Sequence, residues 1–360
     1  MTNPPKTLDQ ILVGAVPHDA ITDHALLMRR WLREMGYLSD IYALHIHPTM
    51  AREIRPLASY RPTSAAPYVI FHHSIGSEVA ETVMSWPVQL IMVYHNITPA
   101  HFFEHSNPFW AAQMRLGREQ LVALRPRTIF AIGDSPYNTA ELAELGYKKA
   151  AVVPITFATA EYDLPIDEEL AADLRQTGPN LLFVGRIAAN KKQEDLIKLL
   201  YYYRRIAPTA RLHLVGDHWL ESYATWMWDL AEVLGLKAAV SMPGRVSQQQ
   251  LVTYYRTADL YVSMSEHEGF GKPYIESMYL GLPVLAYHAA STPDVLGDAA
   301  VLFGQKDYER LAEVVDLLVT DGAWRERIIG RQRQRLANFT ETAAQTAFQT
   351  ALAQLFQPSL

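Results

Sequence analysis

The pair Glu268 and Glu276 offers the clearest candidate chemistry in the sequence. The two carboxylates stand eight positions apart, and a glycine-flanked turn and a proline lie between them. The run Asp259–Met264 before this pair is typical of a strand, and a second strand-like run, Val284–Tyr287, follows it. Because proline is favoured at the first helical position, we predict a helix that begins near Pro273, with Glu268 in the loop before it.

The start of such a helix predicts the kind of ligand that this segment would bind. Its backbone N–H groups have no partner within the helix and attract anions, so phosphate is the expected ligand. A carboxylate repels phosphate, and both glutamates are therefore expected to accept hydrogen bonds from hydroxyl groups. A diphosphate flanked by polyhydroxylated rings is a nucleotide sugar.

A second element supports this interpretation. The run Gly185-Arg-Ile-Ala-Ala-Asn-Lys191 directly follows a strand-like segment, Leu181–Val184. Together the two elements resemble the GT4-type retaining glycosyltransferases, whose signatures are E-x7-E and G-R-x-x-x-x-K. The resemblance is strong over residues 178–305 and weaker before them.

The resemblance implies a role for each matching residue. Glu268 would read the hydroxyls of the donor sugar and Glu276 the ribose, while Arg186 and Lys191 would neutralise the diphosphate. Backbone groups near the donor are implied at Gly185, Gly269, Phe270 and Gly271. The resemblance also implies transfer without a metal or another cofactor, and the chain contains no D-x-D triplet of the kind that holds a metal in other glycosyltransferases.

Lys272 departs from the family pattern, which usually has an aliphatic residue there. One interpretation is that its stem packs while the ammonium reaches solvent. The other is that it contacts the donor phosphates, since a cation at a helix N-terminus is unfavourable unless an anion is near.

Candidates in the first half rest on weaker signals. His95 follows a strand and resembles a histidine that faces the sugar in some bacterial relatives, with a core or capping histidine as the alternative. His73 or Ser74, and Asn138, are placed similarly. Gly14 is predicted to lie on the donor side, although the loop after it lacks the paired glycines of relatives and could instead shape an acceptor site.

Composition excludes several classes of function. A chain of 360 residues exceeds the usual size of one hydrophobic core, and its 49% hydrophobic and 19% charged residues describe an ordinary globular protein. The net charge of −6 argues against a nucleic-acid partner. With no cysteine in the chain, disulfides, thiolate catalysis and cysteine metal sites are excluded.

Strand-length apolar runs alternate with longer runs of helical period, which predicts βαβ units and parallel sheets. The alternation therefore predicts two Rossmann-like doubly wound domains of the α/β class, and the resemblance implies their GT-B arrangement, in which the domains face a cleft. The predicted domains are residues 1–155 and 179–339, joined by an acidic linker over 156–178. A last helix, about 340–360, is expected to cross back onto the first domain.

The N-terminus lacks the pattern of a signal peptide, and no apolar run is long enough to span a bilayer. We expect a cytoplasmic protein, and the resemblance adds the inner face of the membrane as an alternative location. The basic run Met28–Arg33 could touch an anionic membrane, but a solvated helix face is favoured. The resemblance implies a nucleoside-diphosphate sugar and a saccharide or lipid-linked acceptor as partners, in bacterial polysaccharide or glycolipid assembly.

Other functions stay open at this point. The run His101-Phe-Phe-Glu104-His105 spells an inverted zinc-peptidase motif, but Pro99 and Pro108 leave room for barely two helical turns. A nicotinamide-dependent dehydrogenase is disfavoured because neither half contains G-x-G-x-x-G. An epimerase, a phosphorylase or a non-catalytic binder of nucleotide sugars could share the fold.

Overall fold

The computed structural model describes residues 7–17, 19–63, 66–156, 158–218 and 220–356. Within these ranges the chain forms two compact units. Unit 1 holds residues 7–101, 108–156 and 339–356, and unit 2 holds residues 102–107 and 158–338. The N-terminal residues 1–6 and the predicted end of the last helix, 357–360, lie outside the described residues.

Unit 1 is built on a seven-stranded parallel sheet in the order β3-β2-β1-β4-β5-β6-β7. Its strands are β1 (Asp9–Ala15), β2 (Ile41–Ile46), β3 (Arg55–Pro56), β4 (Tyr68–His73), β5 (Gln89–Tyr94), β6 (Thr128–Gly133) and β7 (Ala150–Val152). The helices between them are α1 (Ala20–Glu34), α2 (Glu78–Ser85), α3 (Pro108–Leu124) and α4 (Pro136–Glu144). Central strands such as β5 are apolar at nearly every position because both faces of the sheet are covered.

Unit 2 repeats this architecture around a six-stranded parallel sheet in the order β10-β9-β8-β11-β12-β13. Its strands are β8 (Asn180–Val184), β9 (Arg211–Val215), β10 (Val240–Gly244), β11 (Leu260–Ser263), β12 (Val284–Tyr287) and β13 (Val301–Phe303). Its helices are α5 (Glu168–Arg175), α6 (Gln193–Tyr203), α7 (Glu221–Val233), α8 (Gln248–Thr257), α9 (Lys272–Tyr279), α10 (Thr292–Leu296), α11 (Tyr308–Thr320) and α12 (Gly322–Leu336).

The strand order reverses once in each sheet, between β1 and β4 in unit 1 and between β8 and β11 in unit 2. Open α/β sheets bind their ligands at such a switch point, beyond the carboxyl ends of the strands. The predicted α/β class with two doubly wound sheets is confirmed, and the switch points indicate where each unit could hold a site.

The last helix, α13 (Glu341–Phe356), packs within unit 1 against α1. The rings of Trp31 and Phe348 are 5.9 Å apart, and Arg30 forms an ion pair with Glu341. Unit 1 is therefore completed by residues from the far end of the chain.

The segment that the sequence marks as a linker is largely structured. It contains α5, and its backbone is tied to α8 in unit 2: Arg256 donates hydrogen bonds to the carbonyl oxygens of Tyr162 and Leu164, at 3.0 and 2.8 Å. Asp167 N–H also donates to Thr253 Oγ1, at 2.7 Å. These bonds place residues 158–178 in unit 2.

The residues alone predict that Thr22 or Asp23 caps the first helix and that another helix starts near Gly117, and both predictions are wrong. Asp19, rather than Thr22 or Asp23, caps α1, because its carboxylate accepts from the N–H groups of Ile21 and Thr22. Helix α3 begins at Pro108 instead of Gly117. Gly117 serves close packing, since a Cβ there would lie 2.5 Å from the backbone nitrogen of Gly76.

The basic run at Met28–Arg33 has intramolecular partners. Arg29 pairs with Glu53 and Arg33 with Asp40, while Trp31 is buried in the core of unit 1. None of the helices in the described part of the chain combines the length and the apolar character that crossing a bilayer requires.

Candidate active site

The switch point of unit 2 brings the two predicted motif elements together. β8 and β11 are hydrogen-bonded neighbours, with Leu260 opposite Leu181. Lys191 lies in the loop after β8, and Glu268 lies in the loop after β11. Lys191 Nζ donates to Glu268 Oε2 at 2.5 Å, although the two residues are 77 positions apart in the chain.

The two loops are also joined through their backbones. Asn190 Nδ2 donates to the carbonyl oxygen of His267 at 3.1 Å, and the N–H of Glu266 donates to the carbonyl oxygen of Asn190 at 2.9 Å. Gln193 Nε2 binds the carbonyl oxygen of Arg186 at 2.9 Å. The loops are thus held at a fixed spacing, which gives Lys191 and Glu268 a defined geometry.

Two glycines in this region are required by sterics. A Cβ at Gly216 would lie 2.0 Å from the carbonyl oxygen of Gly185, so the loops after β8 and β9 could not approach each other with a larger residue there. Gly271, with φ of 89°, is left-handed and would place a Cβ 2.5 Å from the Tyr274 ring.

Helix α9 begins at Lys272, as the position of Pro273 predicts. Gly271 is the N-cap of α9. Because glycine has no side chain, it cannot cap the backbone N–H groups of the first turn. Gly269 and Lys272 are half-buried, and Phe270 is buried. The anion-binding role of this helix start stays a prediction.

Glu276 has partners that the sequence did not indicate. Tyr162 donates its hydroxyl to Glu276 Oε1 at 2.5 Å, and Tyr255 donates to Oε2 at 2.6 Å. Burial, and then the charge of Glu276, raises the pKa of both tyrosines, so their hydroxyls remain neutral donors. Since Glu276 is only 4% exposed, ribose would have to use the remaining lone pairs or displace a tyrosine.

Further cations near the loops are balanced by acids. Lys192 adopts a left-handed conformation with φ of 54° and lies 3.7 Å from both Glu194 and Glu266. Lys306 pairs with Glu266 at 2.7 Å and with Asp195 at 2.9 Å. Arg186 is exposed at the surface of its loop.

His95 lies in unit 1, just after β5, in a buried polar cluster. Its side chain is 2% exposed, Nδ1 lies 2.9 Å from Asp134 Oδ2, and Nε2 lies 2.9 Å from His72 Nδ1. Both ring nitrogens are therefore engaged by the protein itself. A contact of His95 with the sugar stays a prediction, and this geometry favours a positioning role for the ring.

The other candidates of the first half are structural in this conformation. His73 Nε2 binds the carbonyl oxygen of Gly117 at 2.9 Å, and Asn138 is buried between Tyr94 and Asn96. Ser135 caps α4, as its sequence position suggests. Gly14 lies inside β1, opposite His45 of β2, rather than in the loop that follows; its donor contact also stays a prediction.

The zinc-peptidase motif does not form the helix that it would need. His101 lies in a three-residue 3₁₀ helix, Ala100–Phe102, and Glu104 and His105 follow in a turn; all three side chains are exposed. Among the described residues, the cluster whose geometry could hold a metal is instead His24, His95 and Asp134.

The residues that sequence reasoning missed are Tyr162 and Tyr255 in unit 2 and Gln10, His24, His72 and Asp134 in unit 1. Their partners lie on other strands or loops, so no spacing in the sequence connects them. Polar residues within apolar strands, such as Gln10 and His72, were the available signal.

Comparison with known proteins agrees with the geometry of unit 2. Residues 167–335 match the family model of the glycosyl transferases group 1. D-inositol 3-phosphate glycosyltransferase of Thermobifida fusca (strain YX) is 29% identical over 225 residues, which are 59% of this chain and 51% of that protein. Mannosylfructose-phosphate synthase of Agrobacterium fabrum is 35% identical over 130 residues, 34% of this chain and 29% of that protein.

The fold has counterparts among solved structures. The structure of Anabaena Alr3699/HepE in complex with UDP and glucose superposes with a TM-score of 0.76 at 15% identity, covering 97% of this chain and all of that one. Sucrose-phosphate synthase from Thermosynechococcus elongatus gives a TM-score of 0.74 at 18% identity and covers 97% of this chain and 99% of that one. These likenesses support the GT-B fold. The match of residues 167–335, which hold both motif elements, supports a similarity of unit 2 to the group 1, or GT4-type, glycosyltransferases.

Proposed function

We propose that this protein is a retaining glycosyltransferase that moves a sugar from a nucleoside diphosphate to a hydroxyl group of an acceptor. The observation that carries the proposal is the 2.5 Å contact between Lys191 and Glu268 at the switch point of unit 2. It places a cation for the diphosphate beside a carboxylate that can accept hydrogen bonds from sugar hydroxyls. Binding of a donor would let Lys191 exchange one anion, Glu268, for another.

The proposed reaction breaks the bond between the anomeric carbon and the diphosphate oxygen and forms a bond from that carbon to the acceptor oxygen. The diphosphate leaves with the bonding electron pair, and its oxygen takes the proton of the acceptor hydroxyl. Arg186 and Lys191 stabilise the negative charge that develops on the leaving group. Preorganised charges aimed at such a group usually supply the largest single share of catalysis.

We propose that these two side chains do this without a metal ion. Arginine offers a planar, permanently charged fork, and lysine a compact charge, so together they match a diphosphate. The family resemblance supports both metal independence and retention of the anomeric configuration. Glu276, oriented by Tyr162 and Tyr255, is the proposed contact for the ribose.

The nature of the donor is suggested by the neighbours. The Anabaena protein was solved with UDP and glucose, and relatives are named as a D-inositol 3-phosphate glycosyltransferase, a sulfoquinovosyl transferase and a glycogen synthase. A UDP- or GDP-hexose is therefore the first donor class to test. The proposed acceptor is a saccharide or a lipid-linked saccharide, in polysaccharide or glycolipid assembly. The match covers about half of the Thermobifida relative, 51%, so the acceptor is proposed from the family resemblance rather than from that protein.

The test begins with thermal unfolding of the protein in a panel of nucleotide sugars, because a bound donor stabilises the folded state by mass action. Each stabilising donor is then incubated with and without saccharide acceptors, and the products are identified by mass spectrometry. Transfer to an acceptor with release of nucleoside diphosphate supports the proposal. Isomerised donor without acceptor indicates an epimerase, and phosphate-dependent cleavage a phosphorylase. Binding with no turnover indicates a non-catalytic binder and refutes the proposal.

A further inference from the structure

A chain of buried hydrogen bonds crosses the switch point of unit 1. It begins at Gln10 on β1, continues through His72 on β4 and His95 after β5, and ends at Asp134 after β6. His24 on α1 lies against it, with its ring centroid 5.7 Å from that of His95. All five side chains are buried, so their hydrogen-bonding groups depend on partners within the protein.

The orientation of the Gln10 amide, at one end of the hydrogen-bond chain, determines where the protons lie. Gln10 Nε2 lies 3.0 Å from the carbonyl oxygen of Ala25, which can only accept, so this amide nitrogen is the donor there. The other end of the amide, Oε1, is then an acceptor, and it lies 2.9 Å from His72 Nε2. His72 must therefore carry its proton on Nε2. Flipping the amide would set two oxygens against each other and leave the carbonyl of Ala25 without its donor.

The proton on His72 determines that on His95. With Nε2 protonated, a neutral His72 has only a lone pair on Nδ1, so the facing Nε2 of His95 must donate across 2.9 Å. On its other side, His95 Nδ1 lies 2.9 Å from Asp134 Oδ2. One proton is shared in that contact. With the proton on the imidazole, this contact is a charge-assisted N–H···O⁻ hydrogen bond, which is roughly twice as strong as one between neutral groups. The proton therefore belongs to His95.

We propose that His95 is held as an imidazolium paired with the carboxylate of Asp134, and that Gln10, His72 and Asp134 are positioning residues that enforce this state. This inference concerns the charge of unit 1 and does not depend on the proposed transfer reaction. It has one consequence for that reaction. A ring that already carries both protons cannot accept one from an acceptor hydroxyl, so His95 would act only through its charge and position.

The surrounding groups are consistent with a charge on His95 rather than on a neighbour. Burial lowers the pKa of His72 well below its usual value, with a further contribution from His95 and His24. Burial also lowers the pKa of His24 and of His73 to about 4. These three histidines are therefore neutral at neutral pH, and Asp134 is the anion that faces His95 directly.

A metal ion is the competing occupant of this cluster. Ligand atoms of His24, His95 and Asp134 all lie within 4.8 Å of one another, and both nitrogens of His24 and Oδ1 of Asp134 have no hydrogen-bond partner among the described residues. A metal would have to take His95 Nδ1 without its proton, because ligands bind in their deprotonated form. The 2.9 Å approach of Asp134 Oδ2 to that atom instead calls for a proton between the two, and we therefore favour the imidazolium.

The experiment is nitrogen NMR on protein labelled with ¹⁵N-histidine, at about pH 8, where an unperturbed imidazole is neutral. The two nitrogens of an imidazolium resonate close together, whereas those of a neutral ring are widely separated. The expected result is one imidazolium among the 13 histidines, and its signal should be missing in His95→Gln. A neutral signal for His95 would overturn the proposal, and wild-type protein alone suffices for this measurement.

A variant outside the charged pair tests the role of Gln10. In Gln10→Leu, His72 loses its acceptor and can move its proton to Nδ1, where it donates to His95 Nε2. The expected result is loss of the imidazolium signal at the same pH although Asp134 is intact. Gln120→Leu is the matched control, since Gln120 is another buried glutamine of unit 1 that binds Ser77 instead, and it should retain the signal.

The metal alternative is tested on the same samples. Protein is incubated with Zn²⁺, desalted, and analysed for bound metal, with Co²⁺ as a spectroscopic substitute. Stoichiometric metal that is lost in His24→Gln but kept in His101→Gln would overturn the proposal. Neither measurement contains a donor or an acceptor, so failure here is distinguishable from failure of the proposed transferase activity.

Discussion

The two switch points of this molecule hold charged groups in different ways. In unit 2, the side chains of Lys191 and Glu268 are 20% and 11% exposed and pair across two loops. In unit 1, those of His95 and Asp134 are 2% and 1% exposed and form part of a hydrogen-bond chain. Partly exposed charges can exchange a protein partner for a ligand at modest cost, whereas a buried pair is strongly destabilised when one partner is removed. The comparison predicts that the Lys191–Glu268 pair of unit 2 opens to bind a ligand, whereas the His95–Asp134 pair of unit 1 stays closed and holds side chains in position.

Removal of the Glu268 carboxylate should have the largest effect on activity. In Glu268→Ala we expect sugar transfer to fall on the order of 10³-fold, because contacts to the reacting sugar tighten in the transition state. Initial rates with saturating donor measure the effect. Glu266→Ala is the matched control, since Glu266 pairs with Lys306 and Lys192, and it should stay within about threefold of wild type. Wild-type turnover in Glu268→Ala would contradict the proposed function.

The cations of unit 2 should have the next largest effect. Arg186→Ala and Lys191→Ala are each expected to lower the rate on the order of 10²-fold, as loss of one charge-stabilising group often does. Transfer by wild-type protein should persist in excess EDTA. Activity that EDTA abolishes and Mn²⁺ or Zn²⁺ restores would show that a metal, and not these side chains, neutralises the diphosphate.

Acid should destabilise both units through their buried neutral histidines. Burial lowers the pKa of His24 in unit 1 and of His213 in unit 2 to about 4. Each contributes stability that is fully present above the unfolded pKa of 6.5 and is lost as pH falls from there towards 4, because the unfolded chain binds the proton more tightly. At about pH 4.5 the loss per histidine is about 2–3 kcal/mol.

Urea unfolding at a series of pH values measures this effect. His24→Gln and His213→Gln should each show a smaller decrease in unfolding free energy between neutral pH and pH 4.5 than wild type does. The exposed His101→Gln should show the wild-type decrease. Equal pH profiles for all three variants would refute the prediction.

Glu276 lies in unit 2 but is as buried as the charged groups of unit 1, so it tests whether a buried carboxylate can also bind a ligand. We expect Glu276→Ala to weaken nucleotide binding by about 2 kcal/mol, since ribose contacts form in the ground state and charged hydrogen bonds contribute that much. It should also lower stability by leaving the hydroxyls of Tyr162 and Tyr255 without an acceptor. Calorimetric titration of UDP and GDP, alongside urea unfolding, separates the two effects. Unchanged nucleotide affinity would exclude the ribose contact.

Lys272 should give the smallest effect. If its ammonium contacts the donor, Lys272→Met should weaken donor binding by about 1.5 kcal/mol at low salt, while the apolar stem is kept. Lys192→Met is a control for charge, because Lys192 lies near two glutamates of its own unit. An unchanged dissociation constant in Lys272→Met would support the alternative in which the ammonium reaches solvent.

The sequence itself determined the elements and the motif residues of unit 2. Alternating apolar runs of strand and helix length predict two parallel sheets, and Pro273 predicts the start of α9, because these signals are local and depend on backbone geometry. Lys191 and Glu268 were each identified from their motif elements in loops after strands, but their contact was not predicted, because only the strand order makes β8 and β11 neighbours. The starts of α1 and α3 were predicted wrongly from the sequence. Asp19, rather than Thr22 or Asp23, caps α1, and Gly117 lies inside α3, where it allows close packing against Gly76.

Only the tertiary structure decided which polar groups meet in the interior. Tyr162 and Glu276 are 114 positions apart, and Gln10 and His72 are 62 positions apart. Nothing in their spacing predicts a contact, because the order of strands in a sheet, and not their order in the chain, sets these neighbours. The protonation of His95 likewise depends on which groups the fold brings together. It follows from the carbonyl of Ala25, which lies on another element, and it exists only once that element is packed.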